Sequence, residues 1–86
     1  MDMNTADVLD LVEAVRLART GEGRAIRTKA GVAAQAIADA CGMSASALTR
    51  WEAGARRPTG RPAISWVRLL RQLPPADRNM AEARNL

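Results

Sequence analysis

The 86 residues contain no histidine and a single cysteine, Cys41. This removes the imidazoles, paired thiolates and mixed Cys/His sets on which most acid–base, nucleophilic and zinc chemistry rests. The carboxylates show no paired arrangement suited to proton transfer or metal-assisted hydrolysis. Cys41 lies on the inner side of a helix-forming run and reads as a buried thiol. An enzyme, a cofactor, a metal and a small-molecule ligand are therefore not expected. What remains is cationic and hydroxyl chemistry. Arg50, Arg56, Arg57 and Arg61 follow Ser44, Ser46 and Thr49 closely, and guanidinium groups donate paired hydrogen bonds to anionic oxygens.

The charge is polarised along the chain. The formal net charge is +4, yet four acids (Asp2, Asp7, Asp10, Glu13) and no base precede Ala14. Between Ala14 and Leu73 eleven bases face three acids, Glu22, Asp39 and Glu52. A local excess of this size suits a polyanion, through counterion release and field steering. No stretch approaches the roughly 20 apolar residues of a membrane span, and the acidic start lacks the basic region of a secretory signal. A cytoplasmic, nucleoid-associated protein with no membrane partner is the expectation.

The elements that must position these groups are helical. The hydrophobic fraction is 48%, rich in Ala and Leu with no Phe or Tyr, which favours thin helices packed closely over a strand-built sandwich. Thr5 is placed to cap a helix running to about Arg19, with Val8, Leu11, Val12, Val15 and Ala18 recurring at three and four and expected to face the core. After Gly21 and Gly23, a short helix from about Glu22 to Ala30 turns Ile26 and Ala30 inward before Gly31 ends it, and Val32 begins the next inward turn. Ala33–Cys41 forms a helix with Ile37, Ala38 and Cys41 on one side, and Gly42 follows where a positive φ belongs. Ser44 caps a second short helix to about Ala53, with Leu48 and Trp51 inward. Residues 54–60 are a loop, and Pro62 suits the first turn of a last helix with Ile64, Val67, Leu70 and either Leu69 or Leu73 facing in. Pro74-Pro75 stops that helix. The fold class is an all-α compact bundle of about five helices. Residues 1–75 form one domain including the acidic first helix, and residues 76–86 a tail or short docking helix.

Two short helices joined at Gly42 have the spacing of a helix-turn-helix unit, with the small Ala38 where their axes cross. Three stretches carry a closer likeness: Arg27 to Val32, Ile37 to Ser44, and Leu48-Thr49-Arg50-Trp51-Glu52-Ala53-Gly54-Ala55-Arg56-Arg57-Pro58. In them the sequence resembles the Cro/repressor-type helix-turn-helix family of phage and bacterial regulators, whose members have a lambda-repressor-like DNA-binding domain. The likeness spans about Ile26 to Leu73. It implies that the second helix enters the major groove of double-stranded DNA, that two copies act on a near-palindromic operator, and that repression is the commonest role.

The likeness also assigns roles. With Leu48 and Trp51 inward, Ala45, Ser46, Thr49 and Arg50 face the bases, and Arg50 is the one long donor able to grip guanine O6 and N7. The methyls of Ala45 and Ala47 suit a thymine methyl. Arg56 and Arg57 are placed for phosphates, with Arg61 and the capping Ser44 as further phosphate candidates; Lys29 could equally serve as a helix-dipole partner. Members often carry a glutamine at the first residue of the bracing helix; that position is Ala34 here, with Gln35 one step later and its phosphate contact in question. The family pattern sets Arg27 opposite Glu52 as a partly buried structural ion pair. A weak or DNA-assisted homodimer is expected, with the outer edge of the first helix and residues near Met80 and Leu86 left for a partner. A protein-interaction or accessory module, such as an antitoxin or excision factor using the same helix-turn-helix, is the alternative function.

Overall fold

A computed structural model describes residues 3–74, which form five α-helices: α1 (Thr5–Thr20), α2 (Glu22–Lys29), α3 (Ala34–Cys41), α4 (Ala45–Glu52) and α5 (Gly60–Gln72). No strand occurs among the described residues, so the all-α bundle is the architecture of this chain. The expected tail at residues 76–86, with Met80 and Leu86, lies outside the described residues.

α1 begins one residue earlier than the expected cap implies. Asn4, not Thr5, is the N-cap: its side chain accepts from the Asp7 amide at 2.8 Å while the Asp7 carboxylate accepts from the Asn4 amide, a reciprocal capping box. The buried face of α1 is also different from the expected apolar stripe. Asp7, Asp10, Ala14, Leu17 and Ala18 point inward, whereas Val8 and Val12 are 49% and 64% exposed and Leu11 and Val15 only half-buried. The reason is electrostatic. Arg68 of α5 donates to Asp7 at 2.8 Å and to Asp10 at 2.9 Å, Arg71 donates to Asp10 at 2.7 Å, and Arg61 donates to Asp7 at 3.2 Å. Carboxylates can be buried when they are paired in this way, and the pairing turns α1 so that its acids meet the bases of α5.

The core gathers on α5. Ala63, Trp66, Val67 and Leu70, spaced at three and four, are buried together with Ala14, Leu17, Ile37, Ala38, Leu48 and Trp51. Ile64, Val67 and Leu70 are buried as expected from the sequence, but the centre is Trp66, fully buried, with its ring centroid 5.4 Å from that of Trp51. α2 reaches this ring closely because residue 23 is glycine: a Cβ there would lie 2.6 and 2.9 Å from two ring carbons of Trp66.

Candidate nucleic-acid interface

The turn between α3 and α4 is built by backbone geometry. Gly42 adopts φ 70°, and the amides of Gly42 and Met43 donate to the carbonyls of Asp39 and Ala38 at 3.3 and 3.0 Å, the two bonds of a Schellman stop. Ala38 is fully buried, which lets the helices approach at their crossing. Two residues after the turn, the Ser44 hydroxyl oxygen accepts from the Ala47 amide at 3.1 Å and starts α4. These two eight-residue helices are a helix-turn-helix.

α4 is seated by Leu48, Trp51 and Glu52, all buried. Its opposite side carries Ser46, Thr49 and Arg50 in solvent. Ala45 is half-buried and packs against the core cluster, so it offers only part of its surface. Thr49 donates its hydroxyl proton to the Ala45 carbonyl at 2.9 Å, so the hydroxyl oxygen keeps its two lone pairs as acceptors only.

Arg27 and Glu52 are brought together. The Nε and Nη2 of Arg27 donate to the two carboxylate oxygens at 2.6 and 3.0 Å, and Nη1 donates to the Val32 carbonyl at 2.8 Å. One guanidinium thereby ties α2, the segment leading into α3, and α4 at its last turn. Donating to the Glu52 carboxylate holds the Arg27 guanidinium more firmly protonated than usual, against the opposing effect of burial. Both side chains are largely buried, so removing either partner leaves an uncompensated charge, a loss of about 3–5 kcal/mol.

The loop after α4 is clamped to it. Gly54 takes φ 73°, and the amides of Ala55 and Arg56 donate to the Arg50 carbonyl at 2.9 and 3.3 Å. This fixes the backbone from which the exposed Arg56 and Arg57 project, while Pro58 is buried. Arg57 lies beside Arg19 of α1, and the two residues line a common open groove. Of the other candidates, Gln35 sits in the first turn of α3 and donates to Asp39 at 2.8 Å. Arg61 is drawn towards buried Asp7 and stays half in solvent. Cys41 is buried, and burial raises its thiol above the usual value, the opposite of what an activated nucleophile needs.

The ion pairs sort the basic residues into two groups. Arg16, Arg27, Arg61, Arg68 and Arg71 are engaged by carboxylates. Among the described residues, Arg19, Arg24, Lys29, Arg50, Arg56 and Arg57 form no ion pair and are exposed. Composition alone did not separate them, because the acids that neutralise α5 come from α1. Uncompensated positive charge is thus present on α4 and on the loop that follows it.

A family described as a helix-turn-helix domain matches residues 24–80, more than half of the chain. α1 lies before the matched stretch. No curated protein and no solved structure matches the chain.

Proposed function

The chain belongs to the helix-turn-helix domain family, and from that membership we propose that it is a sequence-specific regulator of transcription, a Cro/repressor-type protein acting at a near-palindromic operator in double-stranded DNA. The observation that carries this reading is the outer face of α4: Ser46, Thr49 and Arg50 are exposed on a helix that the Arg27–Glu52 pair and the Ser44 cap hold in place, with Arg56 and Arg57 at its end. In this reading the first turns of α4 enter the major groove, Arg50 grips a guanine edge, and Ser46, Thr49 and the Ala45 methyl supply short contacts. Arg56 and Arg57 bind phosphates and set the register, with Ser44, Gln35 and Arg61 as lesser phosphate contacts. A single recognition helix reads few base pairs, so two copies act together, joined weakly or on the DNA itself. The protein works by binding and has no catalytic role.

The test is selection of duplexes from a random library, followed by titration of the selected duplex at several salt concentrations. A preferred near-palindromic sequence is expected, with log affinity falling linearly with log salt by about 0.9 per phosphate contacted. Affinity that is independent of both sequence and salt would overturn the reading.

A further inference from the structure

The corner between α1 and α2 carries two basic residues with no role so far. Arg19, in the last turn of α1, and Arg24, in the first turn of α2, are exposed and form no ion pair among the described residues. The acid between them, Glu22, is closed by Arg16, so the corner keeps its positive charge. It abuts the end of α4: a Cβ at Gly54 would lie 3.6 Å from the Ala18 carbonyl oxygen, which sets the last turn of α1 against the residue after the α4 cap. From there Arg19 shares one cleft with Gly54, Ala55, Arg56 and Arg57. Arg24 shares another with Thr49 and Ala53. We infer that this corner is a second backbone-binding element of the DNA surface, Arg19 and Arg24 each taking a phosphate of the duplex that α4 enters.

The surroundings of the two residues favour a phosphodiester over an acidic protein. A cation in the first turn of a helix meets the positive end of the macrodipole, so α2 itself gains nothing from Arg24 and its charge is spent outward. Arg19 joins Arg56 and Arg57 around one cleft. Three guanidiniums held together gather counterions, and their release on meeting a polyanion drives association. Around Arg24 the neighbours Thr49 and Ala53 offer a hydroxyl and a methyl, not the large apolar anchor that carries a protein interface. Phosphate needs only donors and charge. Both clefts also border groups already proposed to meet the same duplex: Thr49 on the outward face of α4, and Arg56 and Arg57 in the loop. Arg19 precedes the family-matched residues 24–80, so its contact is an addition that α1 makes to the helix-turn-helix. Contacts of this kind raise affinity without reading sequence.

Phosphate binding at the corner rests on the operator reading, and the outcomes separate the two. Arg19→Gln, Arg24→Gln and the double variant are titrated on the selected duplex and on a random one over a series of salt concentrations, with thermal melting of each protein alongside. Each single change is expected to lower the salt slope by about 1 and the double by about 2, weakening both duplexes by the same factor. Arg19→Lys, which keeps the charge, should retain the parent slope. A contact is also read directly: Arg19→Cys carrying a tethered iron chelate should cut the selected duplex at fixed backbone positions when ascorbate and peroxide are added, while the parent, whose one cysteine is buried, should not. A parent slope kept in the double variant, or no fixed cuts from position 19, overturns the inference and leaves the corner to an acidic protein. Lowered melting with an unchanged slope marks a structural role and overturns it too. A changed ratio of cognate to random affinity in Arg24→Gln makes that residue a base reader and overturns its phosphate assignment. A parent that binds no duplex defeats the operator reading and the corner together, whereas a parent that binds with a slope indifferent to both arginines defeats the corner alone.

Discussion

Arginine serves two purposes in this small domain, and the difference lies in what each guanidinium faces. Arg27 spends its donors on Glu52 and on the Val32 carbonyl, so its work is to hold α4 in its seat. Arg50, on the outer side of the same helix, makes no side-chain hydrogen bond among the described residues and keeps the donors that a guanine edge requires. Arg57 is exposed on the loop after α4, the position proposed for a phosphate contact. Arg50→Ala is therefore expected to erode selectivity, lowering the ratio of cognate to random affinity by the equivalent of about 1–3 kcal/mol. Arg57→Ala should weaken cognate and random duplexes by similar factors and reduce the salt slope by about 1. The ratio of affinities for each variant is the measurement, and a preference lost in Arg57→Ala but kept in Arg50→Ala would reverse the two assignments.

Among the elements, α2 depends on the absence of a side chain at one position. Gly23 sits in a short helix where alanine would be favoured by about 1 kcal/mol, but the added methyl would enter the Trp66 ring at 2.6 Å. That ring is fully buried and packed at a tilt against Trp51, so it cannot swing aside, and overpacking of this sort costs about 1–3 kcal/mol. The clash should prevail: Gly23→Ala is expected to melt several degrees below the parent, and a higher melting temperature would show that the ring yields. The same element-level view explains which parts of the fold were legible in the sequence. α3 and α4 were readable because their signals are local: Gly42 at the stop, Ser44 at the start, and Ile37, Leu48 and Trp51 on faces that repeat within eight residues. Ile64, Val67 and Leu70 follow from the same periodicity and are buried, and Trp66, three residues from Ala63 and four from Leu70, widens that face. The expected phase of α1 fails for a physical reason: Asp7 and Asp10 are buried against Arg61, Arg68 and Arg71, 54 to 61 positions away, and periodicity within one helix contains no trace of that partnership. The outward positions on α4 follow from the phase of Leu48 and Trp51, whereas the base sequence proposed for them to read is not encoded in any local pattern of the chain.

For the molecule as a whole, the division of charge along the chain becomes a division between an internal ionic junction and an external cationic surface. The acids of α1 do not dilute the positive surface, because Asp7 and Asp10 are consumed against α5. Folding therefore draws on the ionised form of Asp10. Burial alone would disfavour the charged form of Asp10, but the hydrogen bonds from Arg68 and Arg71 outweigh it and hold the carboxyl below its ordinary value of 3.8. A carboxyl whose folded value is depressed adds stability that is fully present above its unfolded value and is lost as pH falls through the folded one. The contribution of Asp10 should thus be constant from neutrality down towards 3.8 and disappear below it. Asp10→Asn removes the titrating group while nearly preserving its shape, and leaves Arg68 and Arg71 without one charged partner. The variant is expected to melt below the parent at neutral pH, with the gap between the two curves closing as the solution is acidified past 3.8. Thermal melting followed by circular dichroism across that range provides the check. Because Arg68 and Arg71 are about half exposed, added salt should narrow the neutral-pH gap by screening, and a gap that stayed constant through both titrations would mean that α1 is held to α5 by its apolar contacts alone.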